Sequence, residues 1–152
     1  MAGSLLLVCR ANLCRSPMAE AVYRRHATAL QLDEVASAGV WAASRGERAD
    51  PRALAALKRH ELELPKKWRS RRLVAEDLGR YDWVLALDAT VLAALRELWP
   101  AAPARRVRLL LDQLPALDPM QGQDVPDPYY STTAAFDQAL DLIERSVPYF
   151  RG

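Results

Sequence analysis

Residues 4–17 read Ser-Leu-Leu-Leu-Val-Cys-Arg-Ala-Asn-Leu-Cys-Arg-Ser-Pro, and this stretch decides the fold. Its apolar part, from Ser4 to Val8, is typical of a buried first strand, and the segment from Pro17 to Leu30 is typical of a helix. A loop therefore joins the end of a strand to the start of a helix. Pro17 suits the first helical turn, where its missing N–H loses no hydrogen bond, and Ser16 is the expected N-cap.

The loop of residues 9–16 has the features of an anion-binding site. Backbone N–H groups of a curled loop point inward, and the following helix N-terminus adds free donors and partial positive charge. Arg15 brings a planar fork of donors that matches phosphate oxygens. We expect this loop to bind a phosphate dianion through Arg15 together with Arg10, Ala11, Asn12, Leu13, Cys14 and Ser16. Asn12 tolerates the left-handed backbone that so tight a loop needs.

Cys9 is the candidate nucleophile of the loop. It lies at the base of a positive nest, where a thiolate is favoured over a thiol, and a thiolate is a ready nucleophile. Ser16 is expected to donate its hydroxyl hydrogen to the sulfur. A single buried cysteine is more often a packing residue, but the Cys-x5-Arg-Ser spacing between a strand and a Pro-initiated helix favours the catalytic role.

A general acid is the second requirement, because a leaving alkoxide or phenoxide needs a proton. Asp127 supplies a carboxylic acid at the end of a proline-rich, irregular stretch that runs from Asp112 to Pro128. Val-Pro-Asp-Pro also suits an ordinary turn. Beside the cysteine loop, we predict that Asp127 is the acid.

The rest of the chain alternates short apolar strands with helices. Strands are predicted near Val35, Trp83 and Val107, and helices over 51–60, 90–98 and 132–150. Such alternation predicts an α/β fold, a single three-layer domain over residues 1–152 with a central parallel sheet of about four strands, helices on both faces and the phosphate loop after strand 1. A length of 152 residues suits one domain.

Several quoted segments together resemble the low-molecular-weight protein tyrosine phosphatase family, in a form found in bacteria. The carrying residues are Val8-Cys9, Asn12, Cys14-Arg15-Ser16-Pro17, Ala19-Glu20, Ser37-Ala38-Gly39 and Asp127-Pro128-Tyr129-Tyr130. The resemblance implies a cofactor-free hydrolysis of phosphotyrosine in two steps. Cys9 accepts the phosphoryl group, Arg15 and the loop amides hold it, and Asp127 protonates the leaving oxygen and then activates water.

The resemblance also implies a hydrogen-bond network that supports the loop. Asn12, Ser16 and Ser37 match three of its positions, whereas the position of the family's histidine is occupied by Trp68. Ala11 replaces the usual glycine, which permits backbone angles that alanine avoids.

The side chains expected to line the pocket indicate which substrate it prefers. Tyr129 and Tyr130 directly follow the acid and are expected to pack a phenyl ring. Leu13 is the expected opposite wall, and bacterial arginine phosphatases of the family tend to have threonine there. An arginine phosphatase, an arsenate reductase of the same fold and a non-catalytic phosphate-binding module remain the alternatives. Trp41 has two open interpretations, as a pocket wall or as a cap on the core.

Cys14 also has two interpretations. As a redox partner it would form a reversible disulfide with Cys9; otherwise it packs the loop. The chain has two cysteines, both in this loop, so we expect a reducing compartment, the cytoplasm by default. His26 and His60 lack the spacing of metal ligands, and no metal or cofactor is expected.

Charge and hydropathy argue against nucleic acid and membranes as partners. The net charge is +2, from 21 basic and 19 acidic residues, and the only dense basic segment, 66–72, is too small to predict nucleic-acid binding. The apolar run before Cys9 is too short for a lipoprotein signal, and no membrane-spanning run follows it, so no membrane is expected among the partners. The expected partner is a phosphotyrosine-containing protein, with a bacterial tyrosine kinase as the candidate, and phosphate or a similar oxyanion is expected in the loop.

Overall fold

The apolar run that opens the chain forms a central strand of the sheet. The computed structural model describes residues 3–152. Its elements are β1 (Gly3–Cys9), α1 (Arg15–Arg25), β2 (Leu32–Gly39), α2 (Pro51–Arg59), α3 (Asp77–Arg80), β3 (Trp83–Ala86), α4 (Ala89–Leu98), β4 (Val107–Leu109) and α5 (Thr133–Ser146), with 3-10 turns at Leu110–Gln113 and Val147–Tyr149.

The four strands form one parallel sheet in the order β2-β1-β3-β4. Cys9 pairs with Gly39 of β2, and Val8 pairs with Ala86 of β3. All carboxyl ends therefore lie at the same edge of the sheet, where ligands of open α/β sheets usually bind. The loop after β1, the segment after β2 and Asp88 after β3 meet at this edge.

Both faces of β1 are buried, which explains its uninterrupted apolar sequence. Leu5 and Leu7 belong to a core with side chains of α1, α2 and α5. Leu6 and Val8 point to the other face and pack in a second core with Val91 and Leu95 of α4. The predicted three-layer α/β architecture is confirmed.

Some predicted boundaries are wrong. Helix α1 begins at Arg15 with Cys14 as N-cap, so Ser16 is not the cap, and the helix ends at Arg25 rather than near Leu30. Helix α5 ends at Ser146. His60, the C-cap of α2, contacts α5, with its Nδ1 2.7 Å from Glu144 Oε1.

Within residues 3–152, no helix has the length and apolar character needed to cross a membrane.

Candidate active site

Cys9 ends β1, and its sulfur receives polar contacts from the loop that follows. The side chain is almost fully buried. The Asn12 backbone N–H donates to Cys9 Sγ at 3.3 Å, and Ser16 Oγ lies 2.9 Å from the same sulfur. Asn12 has φ of +58°, as its left-handed tolerance predicted, and this conformation turns its N–H toward Cys9.

A buried hydrogen-bond network lies behind the loop. Asn12 Nδ2 donates to Ser16 Oγ at 2.7 Å and to Ser37 Oγ at 3.0 Å, while Asn12 Oδ1 accepts from the Arg71 N–H at 2.9 Å. Because Ser16 Oγ accepts from Asn12, its own hydrogen can be donated to the Cys9 sulfur at 2.9 Å or to the Ala38 carbonyl at 3.5 Å, and the sulfur is the nearer acceptor. This use of the hydroxyl explains why Ser16 is not the helix cap.

Glu20 anchors the same network, a role that the sequence did not reveal. This residue is only 2% exposed, and its Oε1 accepts from Ser37 Oγ at 2.7 Å and from Trp68 Nε1 at 2.9 Å. Arg24 Nε donates to the other oxygen at 2.8 Å. A buried carboxylate is costly unless it is paired, and these three donors satisfy it. The signal available in the sequence was a single carboxylate within the otherwise uncharged segment Met18-Ala19-Glu20-Ala21-Val22-Tyr23.

Arg15 reaches the pocket from the first turn of α1. Its Nη1 donates to Asp88 Oδ2 at 2.9 Å and to the Val125 carbonyl at 2.9 Å. Its Nη2 lies 3.6 Å from Asp127 Oδ2. Asp88 is also the N-cap of α4, where it accepts from the Val91 N–H. The guanidinium is therefore oriented by a helix cap and a backbone carbonyl, and sequence reasoning did not identify Asp88 in this role.

Gly39 lets the loop approach the end of β2. A Cβ at this position would lie 2.8 Å from backbone atoms of residues 10–12, which is closer than real contacts allow. The segment after Gly39 adds two backbone bonds, from Val40 N–H to the Cys9 carbonyl at 3.0 Å and from Trp41 N–H to the Arg10 carbonyl at 2.8 Å. The end of β2 therefore packs directly against the loop.

The predicted site residues surround a pocket of about 310 Å³. It is lined by Cys9, Arg10, Ala11, Leu13, Cys14, Arg15, Asp127, Tyr129 and Tyr130. The remaining predicted residues, Asn12, Ser16 and Ser37, lie behind the loop as its support. One compact group of side chains therefore combines two thiols, two guanidinium groups, a carboxyl group and two phenol rings.

The acid and the two tyrosines form the outer part of the pocket. Asp127 Oδ1 accepts from the Tyr129 N–H at 3.1 Å, and the Asp127 side chain is 43% exposed. The rings of Tyr129 and Tyr130 meet edge to face with centroids 4.8 Å apart. Arg52 lies 5.3 Å from the centroid of the Tyr129 ring, which fixes this wall against α2.

A family model for low molecular weight phosphotyrosine protein phosphatases matches residues 4–151. The chain belongs to this family. A low molecular weight protein-tyrosine-phosphatase from Streptomyces coelicolor is 42% identical over 149 residues, which cover 95% of this chain and 88% of that protein. Relatives of this chain are thus named as hydrolases of phosphotyrosine.

Solved structures of the family match the whole fold. Wzb of Vibrio vulnificus, in complex with benzylphosphonate, has a TM-score of 0.81 at 27% identity and covers 96% of this chain and 94% of its own. The YwlE arginine phosphatase from Geobacillus stearothermophilus has a TM-score of 0.83 at 29% identity, covering 97% and 89%. The family therefore includes proteins named for two kinds of phosphorylated side chain.

Two departures from the family pattern have a structural explanation. Ala11 is not among the residues with positive φ, so its methyl group causes no backbone strain where the family has glycine. Trp68, which the resemblance places at the position of the family's histidine, donates its indole N–H to Glu20 Oε1 at 2.9 Å. The network behind the loop therefore retains a donor at this position.

The structure answers the question left open for Trp41. Its side chain is 51% exposed and does not cap the core. The pocket lining does not include it either. Instead, the guanidinium of Arg10 lies over the Trp41 ring, 4.9 Å from the centroid.

Cys14 is buried in the pocket wall as a free thiol. Burial raises its pKa to about 12, and the nearby Asp50, Cys9 and Asp127 act in the same direction. Cys14 therefore remains a neutral thiol at physiological pH, unlike the thiolate required of a nucleophile.

Proposed function

We propose that this chain hydrolyses phosphotyrosine in proteins through a cysteinyl-phosphate intermediate. The observation that carries the proposal is the convergence of Cys9, Arg15 and Asp127 on one pocket, with the Cys9 sulfur contacted by the Ser16 hydroxyl and the Asn12 amide. This arrangement provides a nucleophile, an oxyanion site and a proton donor, which are the groups that phosphate monoester cleavage needs.

In the first step, the Cys9 sulfur attacks phosphorus while the bond to the phenolic oxygen breaks. Arg15 and the inward backbone N–H groups hold the phosphoryl oxygens as the group flattens. Asp127 gives its proton to the departing phenolate. The contact of 3.6 Å between Arg15 and Asp127 supports this role, since it keeps the acid beside the phosphate site.

In the second step, water attacks the phosphorus of the cysteinyl phosphate and the bond to sulfur breaks. Asp127, now a carboxylate, takes the proton from water. The Ser16 hydroxyl donates to the departing thiolate. Asn12 holds the serine oxygen in position for this through its 2.7 Å bond.

The walls of the pocket favour an aromatic phosphate ester. Leu13, Tyr129 and Tyr130 surround the space between the loop and solvent, and an aryl ring reaches from this rim to the loop. Phosphoserine has no aryl ring to pack against these side chains. The benzylphosphonate bound by Wzb is likewise an aryl-substituted phosphonate.

Arginine phosphatase activity is the second candidate, because the YwlE structure matches over 97% of this chain. The apolar Leu13 wall favours phosphotyrosine, since it offers no polar partner to a guanidinium. Arsenate reduction and phosphate binding without turnover are weaker alternatives.

One set of initial rates distinguishes these functions. Wild type, Cys9→Ser and Asp127→Ala are assayed on peptides containing phosphotyrosine, phosphoarginine or phosphoserine, and wild type is tested for thiol-dependent arsenate reduction. We expect wild type to prefer phosphotyrosine, Cys9→Ser to be inactive and Asp127→Ala to be strongly impaired. Phosphotyrosine turnover by Cys9→Ser would refute the mechanism, and binding without turnover by wild type would favour the binding module.

We also propose that the substrate is a phosphotyrosine protein, with a bacterial tyrosine kinase as candidate. We propose in addition that residues 1–152 form a single domain, of which the described part, residues 3–152, is built around one sheet. The free thiols of Cys9 and Cys14 support a reducing compartment such as the cytoplasm.

We also propose a redox role for Cys14. After peroxide converts Cys9 to a sulfenic acid, Cys14 attacks it and water leaves as the disulfide forms. The high pKa of Cys14, about 12, makes this attack slow. Mass spectrometry of peroxide-treated protein tests for the linked peptides.

A further inference from the structure

Arg10 is a cation at the mouth of the pocket whose charge the mechanism does not use. It directly follows the nucleophile, lines the pocket and is exposed. The phosphate site already has the buried guanidinium of Arg15 and the loop amides. The contribution of Arg10 to phosphate binding is expected from its backbone N–H, so its guanidinium is available to a group that lies beside the phosphate.

The Arg10 guanidinium has no carboxylate partner among residues 3–152. In contrast, Arg15 pairs with Asp88, and Arg52 pairs with Asp50 at 2.9 Å. The acid of the pocket lining, Asp127, lies beside Arg15. An exposed arginine that lacks an internal partner at a substrate pocket is available to a negative group on the substrate.

Trp41 holds this cation in place. Its ring lies 4.9 Å from the Arg10 guanidinium carbon, and its backbone N–H is bonded to the Arg10 carbonyl at 2.8 Å. The next residue, Ala42, is fixed by Arg72, whose Nε donates to its carbonyl at 2.7 Å. Stacking on an aromatic face leaves the edge of a guanidinium free to donate hydrogen bonds. The cation is thus preorganised at the rim.

We propose that Arg10, supported by Trp41, forms an anion subsite that recognises an acidic group next to the phosphotyrosine of the substrate. The inference rests on the proposed function, because it assumes that phosphotyrosine occupies the pocket. The shared chemistry is an oxyanion, supplied by a flanking Asp or Glu carboxylate or by a second phosphate.

Matched phosphotyrosine peptides test this subsite. One peptide has Glu on both sides of the phosphotyrosine, a second has Gln at the same positions, and a third has phosphoserine there. For wild type we expect kcat/KM to be about fivefold higher for the Glu peptide than for the Gln peptide, the size of effect of a partly exposed ion pair. The preference should decline as salt is added. The third peptide shows whether a flanking phosphate raises kcat/KM more than a flanking carboxylate does.

Three variants assign the preference to the proposed residues. Arg10→Gln and Trp41→Leu should each reduce the Glu-to-Gln ratio toward one. Arg105→Gln, which removes an exposed arginine that precedes β4 at the opposite edge of the sheet, should keep the wild-type ratio. Because the Glu-to-Gln ratio is taken within each variant, a change in the overall activity of the loop cancels. Trp41→Leu tests the subsite even if Arg10→Gln inactivates the enzyme.

Failure of the subsite and failure of the proposed function give different results. Hydrolysis of p-nitrophenyl phosphate by wild type reports the function, and the peptide ratio reports the subsite. Affinities of the same peptides for Cys9→Ser, with and without Arg10→Gln, measure the subsite without turnover. Equal affinities and rates for the Glu and Gln peptides, or a preference that survives Arg10→Gln, would overturn the inference.

Discussion

The inner and outer halves of the pocket are built in opposite ways. The inner half is the loop of residues 9–16 with its support, in which Asn12 and Ser16 are completely buried and Glu20 is 2% exposed. The outer half is the segment from Asp127 to Tyr130, in which Tyr130 is 96% exposed. The contrast separates the part that holds phosphate and nucleophile from the part that meets the rest of the substrate.

Each half is stabilised by a different kind of contact. The inner half has a continuous series of hydrogen bonds from Trp68 through Glu20, Ser37, Asn12 and Ser16 to Cys9. Such buried networks are strong when every member is satisfied. The outer half relies on one local turn at Asp127 and on the contact of Arg52 with the Tyr129 ring. Substitutions should therefore act on chemistry in the inner half and on substrate affinity in the outer half.

The largest expected difference is between two arginines. Arg15→Lys should lower kcat/KM for phosphotyrosine about 10³-fold, because lysine cannot bridge two phosphate oxygens while bonded to Asp88. Arg52→Lys, which changes the residue that packs against the outer half at Tyr129, should lower kcat/KM only a few-fold. Steady-state kinetics on one peptide measures both. Equal losses in the two variants would remove the distinction between the halves.

Asp127 is the outer residue that takes part in chemistry. Asp127→Asn should lower kcat for phosphotyrosine about 10²-fold or more, since the leaving phenolate is no longer protonated. The loss in kcat should be smaller for p-nitrophenyl phosphate, because its less basic leaving group depends less on protonation. A series of aryl phosphates with leaving groups of different basicity measures this, and a loss that is the same for all of them would contradict the acid role.

Trp68 tests the distant end of the inner network. Trp68→Phe removes the indole N–H from Glu20 and should cost about 1 kcal/mol in the free energy of unfolding, with a drop of several-fold in kcat. Trp41→Phe is the matched control, because within residues 3–152 the Trp41 indole N–H has no hydrogen-bond partner. Urea unfolding and kinetics of both variants provide the comparison. Identical behaviour of the two variants would show that the network does not support the loop.

The raised pKa of Cys14 predicts a loss of stability in alkali. In the unfolded chain its thiol ionises near the ordinary value of 9.0, but in the folded protein only near 12. Its contribution is therefore complete below about pH 9 and is lost as the pH rises toward 12. Between about pH 8 and pH 10, wild type should lose about 1 kcal/mol more than Cys14→Ala. Urea unfolding of both proteins at the two pH values decides this.

The smallest effects are expected at the tyrosines. Tyr130→Ala should raise KM for a phosphotyrosine peptide about twofold, and Tyr129→Ala somewhat more, because Arg52 fixes the Tyr129 ring against the pocket. The value of kcat should stay close to that of wild type in both. A large fall in kcat with unchanged KM would place these rings in the chemistry instead.

The sequence predicted best what depends on neighbours along the chain. The strand, loop and helix around residues 4–17 were recognisable because apolar pattern, spacing and Pro17 agree locally. Ser16 was wrongly assigned as the helix cap, since its hydroxyl is engaged by Asn12 and Cys9. The roles of Glu20 and Asp88 depend on partners that only the folded sheet edge brings together. Trp41 similarly acquires its contact with Arg10 from the packing of two separate loops.

Trapping of the phosphorylated enzyme tests the central claim most directly. Asp127→Ala is mixed with a phosphotyrosine peptide, quenched in acid within its first turnover and digested for mass spectrometry. We predict one added phosphoryl group, on Cys9. Substrate turnover with no modification of Cys9, or with the phosphoryl group on another residue, would contradict the account.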